Sequence, residues 1–183
     1  MQPFFPSLLC AALCLVLFTT IASVDGLYFH LFRYRLWERP VSQYEHKLHT
    51  LNAVLFVPQV GLLFCLQPSG LWLWLLLALF VLTMGVEMAD VLCEEASRRD
   101  LGGLTSVEYL MHFLMAGLRF GWVMPLLFGL PGVAWAPEQT AIGGRALWMM
   151  LIGASIALPA IVIAVVHVVL ALRKPQPATP ESR

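Results

Sequence analysis

Two short patterns in the chain pair residues able to bind a metal or move a proton. Glu45-x-x-x-His49 and Glu108-x-x-x-His112 each put a carboxylate and an imidazole four residues apart. That spacing places both side chains on one face of a helix. An aspartate precedes each pattern by about twenty residues, Asp25 before the first and Asp90 before the second. Carboxylates with imidazoles suit a hard or borderline ion such as Fe, Mn or Zn. Two such ions side by side activate oxygen or a water nucleophile.

The patterns coincide under a shift of 63 residues, which lays the segment from Glu45 to Leu55 over that from Glu108 to Leu118 with five identities in eleven positions. Ser42 falls over Thr105 under the same shift, and a shift of 65 lays Asp25 over Asp90 and Leu27 over Leu92. Leu and Ala matches between apolar helices carry little information, but Asp, Glu and His together carry more. The segments read as two repeated helical hairpins, about 5–66 and 70–130, related by a pseudo-twofold axis along the membrane normal, a known arrangement of parallel repeats.

The elements that must hold these residues follow from composition. The chain has 183 residues, 60% hydrophobic and 12% charged, with no net charge. Mean hydropathy is +0.80. Soluble domains carry about 25% charged residues, so a soluble enzyme is excluded. With no basic field to hold a phosphate backbone, nucleic acid is excluded as a partner. The four cysteines form no CxxC and say little about redox compartment.

Five apolar segments are long enough to cross a hydrocarbon core, which takes about 20 residues. Met1 to Val24 has no charged residue or histidine and lacks the basic start of a signal peptide, so it reads as helix 1 rather than a cleaved leader. Thr50 to Val86 is too long for one span and is split by the turn Gln67-Pro68-Ser69-Gly70 into helix 2, about 43–66, and helix 3, about 70–94. Helix 4 is expected over about 106–129 and helix 5 over 146–172. The expected fold is therefore all-α and integral to the membrane: one transmembrane domain, 1–174, in which the two hairpins form a four-helix bundle joined by a fifth helix. A Pro-rich, disordered cytoplasmic tail, 175–183, follows.

Basic residues set the orientation. Arg33, Arg35, Arg39, Lys47, Arg98, Arg99, Arg173, Lys174 and Arg183 fall on one face, against Arg145 on the other. This predicts an outside N-terminus and a cytoplasmic C-terminus, in a membrane of the bacterial inner type. The loop from Arg33 to Pro40 mixes aromatics with arginines, as an interfacial or anionic-lipid-binding segment does. All five histidines and nearly all acids then lie in the cytoplasmic third. Such groups within apolar segments are expensive and face a bundle interior.

The ligand set resembles that of the di-iron carboxylate bundles of the ferritin-like class, in which two helices supply Glu and two supply Glu-x-x-His. Here the spacing is Glu-x-x-x-His and the first-helix ligand is Asp, so the likeness is one of ligand logic and not of membership. It implies two transition-metal ions held by Asp25, Glu45, His49, Asp90, Glu108 and His112. His46, Glu87, Glu94 and His167 are expected around them or as additional ligands. Glu87-x-x-Asp90-x-x-x-Glu94 also resembles the Asp-rich magnesium-diphosphate motif of intramembrane prenyltransferases, whose second motif and further helices are absent. His46, His49, His112 and His167 would alternatively serve a haem. Against ligation, Ser42-x-x-Glu45 and Thr105-x-x-Glu108 both have the form of capping boxes. Arg119 is expected as a buried charge, paired with an acid such as Glu87 or holding a lipid phosphate. The expected function is a metal-dependent oxidoreductase or hydrolase acting on a membrane lipid or isoprenoid. The rivals are a small transporter, an ion- or proton-relay subunit, and a purely structural subunit.

Overall fold

The structure, a computed structural model, describes residues 5–173; the expected tail lies outside them. It is mostly helical, with five helices long and apolar enough to cross a membrane. Helix α1 spans Phe5–Ser23 and continues without a break into a wider π-helical stretch, Val24–Arg33. Helix α2, Gln43–Val60, carries Pro58 and ends in a π turn, Gly61–Cys65. Helix α3 spans Leu71–Arg98, α4 Ser106–Phe128 and α5 Leu147–Ala171.

Among the described residues, the departure from an all-α chain is a short antiparallel ribbon. Strand β1, Leu66–Ser69, pairs with β2, Ala141–Gly144, in a register that sets Leu66 opposite Gly144 and Ser69 opposite Ala141. The Gln67–Gly70 turn signal thus becomes a strand closing in the left-handed Gly70 (φ 59°). The ribbon ties the loop between α2 and α3 to the loop between α4 and α5. Arg145 joins it: its Nε donates to the carbonyls of Leu63, at 3.1 Å, and Leu66, at 3.0 Å. These are among the carbonyls that the end of the α2 segment leaves without a helical partner.

Helix α1 packs along α4, and α2 lies between α3 and α5. Phe18, Phe56, Phe64 and Trp122 meet at the centre, with ring centroids 5.5–6.3 Å apart. Gly121 permits the close approach of α1 and α4, since a Cβ there would lie 2.8 Å from Cys14 Sγ. Outward faces are apolar on every helix, as at Leu13, Val81, Phe113 and Val162. Contiguous exposed apolar surface of this kind is rare on soluble monomers and is consistent with an integral membrane protein.

Candidate metal centre

The π-helical stretch explains why Asp25 and His30 meet. Five residues along an α-helix turn through about 140° past a full circle, toward the far side. The i→i+5 ladder of a π-helix returns residue i+5 to nearly the same side. Both side chains therefore point inward from one segment, and both are buried. His30 Nε2 lies 3.5 Å from Asp25 Oδ2. From α4, His112 Nε2 reaches within 3.5 Å of the other oxygen, Asp25 Oδ1. From α2, His49 Nδ1 stands 4.0 Å from Asp25 Oδ2. One aspartate thus faces three imidazoles contributed by three segments. Asp25, His30 and His112 each offer a ligand atom, all within 4.8 Å of one another, and are able to hold a metal ion.

His112 is oriented from behind. Its Nδ1 lies 3.0 Å from Glu94 Oε1 on α3. A carboxylate on one ring nitrogen sets the tautomer and turns the other nitrogen toward a ligand. Asp90, one turn earlier on α3, has its Oδ1 buried without a hydrogen-bond partner.

Glu45 and Glu108 are engaged elsewhere. Arg98, fully buried, stands between them. Its Nη1 lies 2.7 Å from Glu45 Oε1 and donates to Oε2 at 2.9 Å, while its Nε donates to Glu108 Oε1 at 3.4 Å. Its Nη2 lies 3.4 Å from His30 Nε2, and its guanidinium sits 4.9 Å from the centre of the Tyr34 ring. Arg98 reads in the sequence as one more basic residue flanking a span; the structure turns it inward. Burial and the Glu108 carboxylate push the Tyr34 hydroxyl above the ordinary tyrosine range.

The two capping boxes part company. Thr105 and Glu108 form one in full: Glu108 N donates to Thr105 Oγ1 at 3.3 Å, and Thr105 N donates to Glu108 Oε2 at 3.0 Å. At Ser42 no side-chain cap forms, which corrects the expectation from the Ser42-x-x-Glu45 pattern. Ser42 closes a 3-10 turn that begins at Pro40, so its backbone (φ −94°, ψ 0°) is not the extended one a capping hydroxyl requires. Its Oγ donates instead to the Ser97 carbonyl at 3.2 Å.

A cavity of about 670 Å³ opens beside the centre, lined from all five helices. Asp25, His49, Asp90, Glu94, His112 and His167 line one part of it; Phe18, Phe56, Met84, Met115 and Ile156 line the rest. Lining residues Met88 and Val91 on α3, and Tyr109 and Phe113 on α4, are also exposed. Because α3 and α4 touch little, these exposed residues border a gap between the two helices beside the cavity. In the wall, Arg119 Nε lies 3.1 Å from Glu87 Oε2, and its guanidinium sits 4.6 Å from the centre of the Phe18 ring.

Asp25, Glu45, Asp90, Glu94 and Glu108 are all buried, and of these only Glu45 and Glu108 pair with Arg98. Buried charges must be paired or neutralised, so protons or bound cations have to meet the excess. His30, the central residue that sequence reasoning left out, had a detectable signal only in its i+5 distance from Asp25, which helical periodicity discounts. Comparison of the chain with protein-family models, curated proteins and solved structures finds no match.

Proposed function

We propose that the protein is a metal-dependent membrane enzyme, an oxidoreductase or hydrolase, acting on a lipid or isoprenoid that reaches the centre sideways from the bilayer. The observation that carries this reading is the convergence of Asp25, His30 and His112 at the edge of an apolar cavity beside the gap between α3 and α4. Pockets of several hundred Å³ with apolar walls and a few converging polar groups are the usual form of a small-molecule site. Asp25, His30 and His112 hold a transition-metal ion, Fe, Mn or Zn, which supplies Lewis acidity or redox chemistry when bound. Glu94 holds the His112 ring. His49 and Asp90 face the same space and complete the coordination or handle protons. Arg98 ties Glu45 and Glu108 together between α2, α3 and α4, outside the ligand set.

The centre lies at the cytoplasmic side of the bundle, with the N-terminus outside. The basic residues Arg33, Arg35, Arg39, Lys47, Arg99 and Arg173 support that orientation without Arg98. The two-hairpin reading is supported by the packing, because an exchange of helix 1 with 3 and 2 with 4 maps the α1–α4 pair onto α3–α2. The apolar block of Phe64, Leu73, Trp122 and Leu126, all fully buried, separates the centre from the Arg145 face and weighs against a transport path.

Elemental analysis of protein purified in detergent with its lipids tests the reading. Wild type should carry at least one transition-metal ion per chain. Asp25→Asn and His112→Ala should lose it, and Glu94→Gln should weaken binding by roughly 10–100-fold. Wild-type protein without stoichiometric metal overturns the proposal, and a Soret band would reassign the histidines to haem.

A further inference from the structure

Three histidines meet where α2 packs against α5. His46 and His49 come from α2 and His167 from α5. His167 is fully buried, and both its ring nitrogens lack a hydrogen-bond partner. Its ring centre lies 5.0 Å from that of His49 and 5.4 Å from that of His46. Two imidazoles on one tetrahedral ion, with metal–nitrogen bonds of 2.0–2.1 Å, have ring centres about 5 Å apart.

Gly26 makes room where these rings converge. A Cβ at Gly26 would stand 2.9 Å from His49 Nε2 and 3.7 Å from His167 Nε2. Any other residue would fill the notch between the two nitrogens. The His49 ring also has two sides in use: Nδ1 faces Asp25 at 4.0 Å, and Nε2 faces the notch. The ring therefore stands between the carboxylate centre and the α5 histidine.

Buried imidazoles with both nitrogens unpaired carry the full cost of desolvation. A bound ion relieves it, and the surroundings select which ion. A set of neutral nitrogens without a first-rank carboxylate favours copper or zinc over magnesium, calcium or manganese. We propose that His46, His49 and His167 form a second metal site of this imidazole type, chemically distinct from the Asp25 centre and joined to it through the His49 ring. Among the described residues, the ligand atoms that already lie within 4.8 Å of one another are those of Asp25, His30 and His112.

The experiment is a titration of chelator-stripped, full-length protein with Cu²⁺, read by equilibrium metal content and by nitrogen hyperfine structure in electron paramagnetic resonance. Wild type should bind two ions per chain, one with a signal from two or three imidazole nitrogens. His167→Ala and His46→Ala should each remove that signal and one equivalent, and leave the second equivalent at wild-type affinity. Gly26→Ala, which adds only a methyl group at the notch, should weaken the same site at least tenfold. Asp25→Asn should do the reverse, keeping the imidazole signal and losing the other ion. If His46→Ala and His167→Ala both retain two ions at wild-type affinity, the proposal is overturned while the Asp25 centre stands. If Asp25→Asn alone leaves the copper count unchanged, the imidazole site stands and the preceding reading falls.

Discussion

Removing the Arg98 guanidinium tests the electrostatic frame of the bundle, and the geometry predicts which carboxylate suffers. In Arg98→Met the apolar stem is kept and the charge is lost. Glu45 then loses contacts of 2.7 and 2.9 Å. The nearest ring nitrogen left beside it is His30 Nε2, at 3.7 Å. Glu108 loses only a 3.4 Å contact. It keeps the Thr105 amide at 3.0 Å, the Thr105 hydroxyl at 2.8 Å and the Tyr34 hydroxyl at 3.2 Å. Breaking a buried pair by deleting one partner costs about 3–5 kcal/mol, and here nearly all of it falls on Glu45. In a chain of this length 1 kcal/mol moves the melting temperature by about 2–4 °C, so Arg98→Met should melt roughly 6–20 °C early. The assay is thermal unfolding in detergent, followed by near-ultraviolet circular dichroism. Glu45→Gln added to Arg98→Met should recover most of the loss, because a neutral amide needs no counter-charge. Glu108→Gln added to the same background should recover little. Equal rescue by both, or a shift of Arg98→Met below about 2 °C, would refute the assignment of Arg98 as the counter-ion of Glu45.

The two serine/threonine positions give a second, paired test: Thr105→Ala should cost about 1 kcal/mol and speed amide exchange in the first turn of α4 through loss of the cap, whereas Ser42→Ala should cost about 1 kcal/mol through the Ser97 carbonyl it leaves unbonded and should not change exchange in the first turn of α2. For topology, a fluorescent reporter active only in the cytoplasm and fused after Arg183 should light up, while alkaline phosphatase fused there should stay silent; an active phosphatase would refute the N-out, C-in arrangement.

How much was legible before the structure depends on the kind of physics each feature rests on. The five apolar helices were written in the sequence because a backbone in hydrocarbon must satisfy its own hydrogen bonds, which makes length and hydropathy sufficient signals. The structure's helices α2, α4 and α5 lie within two residues of the expected bounds at most ends, and α3 runs four residues longer, to Arg98. That extra turn is what carries Arg98 inward. Nothing local distinguishes Arg98 from Arg99, its exposed neighbour; only the positions of Glu45 and Glu108, fifty-three residues before and ten after, make the first a buried counter-ion.

Identical motifs had unlike outcomes for a similar reason. Ser42 and Thr105 occupy the same place in the same pattern, but the turn begun by Pro40 sets the Ser42 backbone before its hydroxyl can choose. The sequence by itself determined which residues lie in apolar helices and that the acids and histidines cluster at one end, since both follow from period and burial cost. Only the tertiary structure decided which acid meets which cation. A side chain's partner depends on helix register and on the local pitch of the chain, and one π-helical stretch was enough to bring His30 beside Asp25.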